Sequence, residues 1–346
     1  VIEEFESPYA NRLITIYNGK IFNFLVQMSL LLYEQENNIQ YLNDIFYFSE
    51  QSKCSLQNRL LAISSSRPVP SNNSQVITPV DIQRALPTAN TLFLDFFDST
   101  IVMGISKNNF IVKNINGSIN QDSLLSVYQK TLQRNNPKEY QSTTYLVYQT
   151  FFEPIIKSID TDIKYLIIAS DGMMSQIAVS GLVTDTLGNR NDYRELNYVV
   201  NQFSVRHVLS GNELLKTNKH KYEEPGSIIG FAPTFKIKSN LPFSKILIQN
   251  LKEKIKGVYY LDESATKEKF QFQAPNFRVV QLSTHAEADI GEMMKSQIHF
   301  SDINGHSDYI TLDSIYKIKF QTQLAVLSAC ETNIGRMEYG EGSINF

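Results

Sequence analysis

From about Ser227 onward, short apolar runs alternate with helix-length amphipathic segments, and this alternation leaves the chain few ways to fold. The order is a strand over Ile228-Ile229-Gly230-Phe231, a helix over about 243–256, a strand over Val258-Tyr259-Tyr260-Leu261 and a helix over about 265–272. A strand from Arg278 to Ser283, a hairpin over about 297–312, a short helix and a strand from Leu324 to Ser328 follow. Parallel neighbours need crossover connections, and helices are the usual ones, so the pattern predicts an α/β unit with a parallel sheet and helices on its faces. In such sheets chemistry gathers beyond the carboxyl ends of the strands.

Three further regions precede this unit, giving expected divisions at 1–62, 63–79, 80–225 and 226–346. Residues 1–62 carry apolar side chains at helical spacing, as in Leu25, Met28, Leu31, Leu32 and then Leu42, Ile45, Phe46, Phe48. They predict a helical cap or the end of a helical repeat array. Residues 63–79 turn to Ser, Asn and Pro and read as a linker or mobile loop. Beyond it, Thr91 to Phe97, Ile101 to Ile105 and Phe110 to Val112 predict strands, about 121–134 and 141–158 predict helices, and Tyr165 to Ala169 predicts a buried parallel strand.

Two segments of the last unit share one design, an apolar strand that ends in small polar residues and then a reactive side chain. They are Val279-Val280-Gln281-Leu282-Ser283-Thr284-His285 and Leu324-Ala325-Val326-Leu327-Ser328-Ala329-Cys330. A buried strand fixes the backbone, so residues just past its end are held rigidly yet reach the crevice, which is what a nucleophile and its base require. If the two strands are neighbours, His285 and Cys330 face each other. A free thiol has a pKa of about 8.5, and pairing with an imidazole favours the thiolate that attacks a carbonyl. Alone, either residue reads as core packing. Mirrored on one parallel sheet, the two read as a dyad.

Leu282-Ser283-Thr284-His285, followed by Leu327-Ser328-Ala329-Cys330-Glu331-Thr332 and Gly340-Glu341-Gly342, resembles the CHAT domain, a caspase-like peptidase domain often attached to tetratricopeptide repeats. Asp81-Ile82-Gln83-Arg84-Ala85-Leu86-Pro87, Leu166 to Gly172 and Ile229-Gly230-Phe231-Ala232-Pro233 also look like that family's landmarks, so the resemblance covers roughly 80–346. It implies a caspase-like, mostly parallel sheet flanked by helices, preceded by a protease-like companion unit over 80–225 and a helical, repeat-like segment. It further implies a cysteine endopeptidase with Cys330 as nucleophile, His285 as general base, and the backbone N–H groups of Cys330 and Ala286 as the oxyanion hole. Where the family usually has Gly, this chain has Ala286. At negative φ the donor survives the change, whereas a required positive φ would cost Ala about 1–2 kcal/mol.

Asp289 and Glu331 flank the dyad and are candidates for shaping the substrate pocket. His299, His306 and Asp302 lie in or beside the expected hairpin and read as solvated loop residues rather than a metal site. Asp171-Gly172 looks like a strand-end corner, but no Cys or His follows it, so the companion unit reads as catalytically silent. No cofactor or metal is expected. The partners expected are a protein substrate and, through the helical region, a regulatory protein or an RNA-guided complex of a bacterial immune system. The alternative is an inactive scaffold that only binds protein.

Cys54 and Cys330 are far apart without a C-x-x-C spacing, which argues against a structural zinc site and a disulfide-stapled secreted domain and fits a reduced cytoplasm. A net charge of -3 with dispersed basic residues gives no electrostatic footprint for nucleic acid. The most apolar stretch, Ile21 to Tyr33, is too short to span a bilayer. The chain starts at Val1 and ends just after Gly340-Glu341-Gly342, so both ends read as cut, with covering elements for the last strand expected beyond Phe346.

Overall fold

The run Thr91-Leu92-Phe93-Leu94-Asp95-Phe96-Phe97 is apolar on both faces of a strand, so it needs cover on both sides. In the computed structural model it is strand β1 (Thr91–Phe97), buried along its whole length. The structure describes residues 8–53, 76–115, 120–159, 161–187, 191–217, 228–289, 293–303, 306–329, 336–338 and 342–344. Apart from the last two stretches these form two compact units, one from 8–53 with 76–217 and one from 228–329. Both are mixed α/β with parallel-rich sheets.

The first unit contains α1 (Pro8–Glu36), α2 (Gln40–Ser52) and α3 (Pro79–Ala85), then β1, β2 (Ile101–Ile105) and β3 (Phe110–Asn114). Helices α4 (Gln121–Leu132) and α5 (Pro137–Phe151), strands β4 (Tyr165–Ala169) and β5 (Ser204–Val208), and helix α6 (Gly211–Thr217) follow, with short helical turns at Glu153–Ile156 and Val199–Gln202. The five strands lie in the order β3-β2-β1-β4-β5, with β1 antiparallel to β2 and parallel to β4. Alternate residues of β1 feed two cores. Leu92, Leu94 and Phe96 pack with Tyr128 of α4 and Val147 and Phe151 of α5. On the other face, Phe93 and Phe97 pack with Val26 and Leu30 of α1, Ile45 and Phe46 of α2, Ile82 of α3 and Leu214 of α6.

Asp95 stands among those apolar neighbours, fully buried, and is ion-paired to the equally buried Lys53 at the end of α2. Ser49 Oγ also donates to it at 3.3 Å. Glu50 in turn accepts the N–H groups of Gly211 (2.7 Å) and Asn212 (3.0 Å), which open α6. Burial pushes the Glu50 carboxyl up, against the pull of Lys53 and these two donors.

Local chemistry moves some expected boundaries. The second helix expected after β3 begins at Pro137, earlier than 141, because Asn136 caps it by accepting from Glu139 N and proline suits the first helical position. Residues 63–75 of the expected linker lie outside the described residues. Thr78 and Asp81 form a capping box that starts α3 at Pro79. Strand β5 has no counterpart among the expected elements: it is a polar edge strand, Ser-Val-Arg-His-Val, without a readable alternation.

The second unit contains β6 (Ile228–Ala232), α7 (Pro242–Lys254), β7 (Gly257–Leu261), α8 (Lys267–Gln273) and β8 (Val279–Ser283). Short strand β9 (Ala286–Glu287), the antiparallel pair β10 (Gln297–Ile303) and β11 (His306–Thr311), a helical turn at Leu312–Tyr316 and β12 (Leu324–Ser328) follow. β6, β7, β8 and β12 form one all-parallel sheet in the order β12-β8-β6-β7. Ile229, Phe231, Val280 and Leu282 point from this sheet into a core closed by Phe270, Ile298, Phe300 and Ile310. On the opposite face Gly230 admits Ile248 of α7 and Tyr259. A Cβ there would lie 2.9 Å from the tyrosine ring.

β12 is the edge strand of the described sheet. It was expected to be fixed by burial, yet Leu324 is 54% and Val326 37% exposed, so it is held by backbone pairing to β8 and by Leu327, which packs against the core. Strands β13 (Arg336–Glu338) and β14 (Gly342–Ile344) pair with each other. Among the described residues no helix is long and apolar enough to cross a membrane.

Candidate active site

β8 and β12 are adjacent and parallel, paired from Val279↔Leu324 to Ser283↔Ser328. Gln281, buried in β8, donates to Ser328 Oγ at 3.2 Å, and Thr284 N donates to the Ser328 carbonyl at 3.2 Å. Both chains therefore leave the sheet at one end and in register. His285 lies two residues beyond Ser283, and Cys330 lies two residues beyond Ser328. Cys330, Glu331 and Cys54 are outside the described residues.

His285 is half-buried and is held by the second unit through its ring and its backbone. Its Nε2 lies 2.7 Å from the Ser239 carbonyl oxygen, in the loop between β6 and α7. A carbonyl only accepts, so Nε2 carries the proton, and in the neutral ring Nδ1 is the basic nitrogen. The ring packs against buried Phe235, centroid to centroid 4.8 Å. Its backbone is fixed as well. The His285 carbonyl accepts from His299 N (2.9 Å), and the buried Thr284 hydroxyl donates to the His299 carbonyl (2.6 Å).

Ala286 begins β9 and pairs with Ile298, while Glu287 pairs with Gln297. Because His299 N bonds to the His285 carbonyl, the 285/299 pair is the hydrogen-bonded one. The alternation of an antiparallel ladder then makes 286/298 the non-bonded pair, with the Ala286 N–H directed away from β10. Positive φ outside glycine occurs, among the described residues, only at Asn37, Asp98 and Asp262. The Cβ of Ala286 therefore brings no backbone strain at the position where glycine was expected.

The expected solvated loop residues are not loop residues. His299 lies within β10 and is 2% exposed, with Nδ1 3.2 Å from Ser307 Oγ and Nε2 3.4 Å from Glu287 Oε2. Burial holds its pKa below the ordinary histidine value, with Lys238 adding to the effect and Glu287 opposing it. Glu287 is ion-paired with Lys238, whose hydrogen bond draws the carboxyl below its usual range. Asp302 Oδ2 accepts the N–H groups of Lys236 (2.6 Å) and Ile237 (3.0 Å). Among the described residues no group of three or more His, Cys, Asp or Glu side chains is arranged to hold a metal. Asp289 is half-buried, and its N–H donates to Ser296 Oγ at 3.0 Å.

Sequence reasoning missed Phe235, Lys238, Ser239 and Glu287. One signal pointed to the first three: Phe231-Ala232-Pro233 ends a strand parallel to β8, so the segment after it leaves the sheet at the same end as His285. In comparisons with known protein families, residues 142–346 match the family described as CHAT domain. That is more than half of the chain, and it begins after the Asp81 to Pro87 segment. A comparison with curated proteins found no match.

Proposed function

This chain belongs to the CHAT-domain family, and we propose from that premise that it is a cysteine endopeptidase of caspase-like type, with His285 and Cys330 as its dyad. One observation carries the reading: β8 and β12 are neighbours in register, so two strands that each end two residues before a reactive side chain leave the sheet side by side.

In this mechanism Nδ1 of His285 takes the thiol proton of Cys330, and the thiolate adds to the carbonyl carbon of a peptide bond. The N–H groups of Ala286 and Cys330 stabilise the oxyanion. The imidazolium then protonates the leaving amine, the carbon–nitrogen bond breaks, and an acyl-thioester remains. Water, deprotonated by the same imidazole, adds to the thioester, and the carboxylic acid and the free thiol are released. The Ser239 carbonyl keeps the ring in the tautomer this sequence needs. Asp289 and Glu331 are proposed to shape the substrate pocket.

The substrate class is a protein chain, and the first unit is read as a silent companion. A regulatory partner acting through the N-terminal helices, attachment to tetratricopeptide repeats, a cytoplasmic location and a place in bacterial defence belong to the same reading. The test is incubation of the protein with a proteome-derived peptide mixture, with new termini mapped by mass spectrometry. Cleavage by wild type that disappears in Cys330→Ala and His285→Ala supports the assignment. Cleavage that persists in both variants removes it, and binding without cleavage by wild type points to a scaffold.

A further inference from the structure

The Ser239 carbonyl that sets the His285 tautomer belongs to a loop, and a loop carbonyl can hold an imidazole only if the loop itself is held. The segment between β6 and α7 contains no regular structure, yet its ties are dense. Asn240 Oδ1 accepts from Phe235 N at 2.8 Å and from Thr234 Oγ1 at 3.0 Å, which closes the loop on itself. Two carboxylates then fix it from outside. Asp302 of β10 accepts consecutive N–H groups, those of Lys236 and Ile237. Glu287 of β9 pairs with Lys238, the residue immediately before Ser239. Each charge-assisted contact is stronger than a neutral hydrogen bond, and both originate on the strands that follow His285 in the chain.

We infer that Asp302 and Glu287 are positioning residues for His285, acting through this loop to hold the Ser239 carbonyl on Nε2. This rests on the reading of His285 as general base. The physical requirement is tight, because displacement of a reacting group by about 1 Å can cost as much as a hundredfold in rate. Without the two anchors the carbonyl drifts, the ring samples both tautomers, and the fraction with a basic Nδ1 falls. Neither carboxylate touches substrate in this scheme.

The test is made on the full chain labelled with [15N]histidine, reading the ring nitrogen shifts of His285, which are assigned by their loss in His285→Gln. Wild type is expected in the Nε2-protonated form. Asp302→Ala and Glu287→Ala are expected to give mixed tautomers and to slow alkylation of Cys330 by iodoacetamide. Peptide cleavage should fall between about tenfold and a hundredfold in kcat with KM unchanged. Asp302→Asn keeps an oxygen that accepts both N–H groups, and it should restore the tautomer and return kcat to within about twofold of wild type. A rescue of that kind is not expected of a residue that merely contributes charge. An unchanged His285 tautomer in folded Asp302→Ala and Glu287→Ala overturns the inference. If Asp302→Ala does not fold, Glu287→Ala, whose side chain is half exposed, decides alone. The two readings fail separately: cleavage that survives His285→Ala removes the base but leaves the tautomer result standing. Loss of cleavage in His285→Ala with no tautomer change in the carboxylate variants removes only the positioning role.

Discussion

The two units build the same corner with different side chains. In the first, β1 and β4 are parallel neighbours, paired from Thr91↔Tyr165 to Asp95↔Ala169, and the chain beyond them carries Asp98 and Asp171. In the second, β8 and β12 are parallel neighbours, and the chain beyond them carries His285 and leads to Cys330. Asp98 has φ of 52°, and its N–H lies 3.5 Å from Asp171 Oδ2. Asp171 Oδ1 accepts Gly172 N at 2.6 Å. Burial, with Asp171 and Asp122 nearby, raises the Asp98 carboxyl above its usual value even though Ser99 N–H pulls the other way. Two carboxylates that are occupied with backbone turns supply neither a thiolate nor an imidazole. A strand-end corner is therefore a scaffold, and the residue type placed on it decides whether there is chemistry.

The largest effect that can break this comparison is on turnover. Cys330→Ala or His285→Ala should lower peptide cleavage by at least about a thousandfold, since the members of such a unit are not additive. Asp98→Asn with Asp171→Asn should leave kcat/KM within about twofold of wild type. A loss in the double Asn variant as large as in Cys330→Ala would show that the first unit is not silent.

Next is stability. Lys53→Met leaves Asp95 buried without its cation and should cost about 3–5 kcal/mol, read from urea unfolding and from hydrogen exchange of the β1 amides. Lys53→Met combined with Asp95→Val should recover part of that loss, because Asp95 no longer needs a counter-charge while the buried Glu50 still lacks the pull of Lys53. The β8 amides serve as the internal control.

A smaller effect concerns pH. His299 has a depressed pKa, so the native state binds fewer protons than the unfolded chain, and its contribution is present above the ordinary histidine value of about 6.5. That contribution is lost as pH falls through the folded value. Stability of the second unit should decline on that side, and His299→Gln should flatten the decline in thermal scans from pH 7 to pH 5. The smallest expected effect is Asp98→Asn alone. The raised carboxyl of Asp98 contributes stability at low pH that is lost as pH rises through its folded value. At neutral pH the Asn variant should be more stable by roughly a few tenths of a kcal/mol, and Asn tolerates the left-handed backbone there. The gain should vanish in acid.

Much of the sheet in both units was legible because apolar runs of strand length bounded by Gly, Ser and Asp carry their own signal, as Tyr165–Ala169 and Val279–Ser283 do. Strand β5 was not legible, since a polar edge strand has no buried face to impose alternation. His299 was misread for a related reason. A histidine alternating with the core residues Ile298 and Phe300 reads as facing solvent until Tyr309 and Ser307 of the paired strand and Glu287 enclose it.

What the sequence determined by itself was local: which apolar runs become strands, that two of them end in reactive side chains, and that no C-x-x-C or paired-histidine spacing offers a metal site. These follow from burial and backbone propensity, which act over a few residues. Tertiary structure alone decided that β8 and β12 are neighbours in register. It also decided that Lys53 finds Asp95 across 42 positions, and that Ser239 meets His285 across 46. A hydrogen bond or ion pair between distant residues leaves no period in the sequence, because its geometry exists only once the strands have been ordered in the sheet.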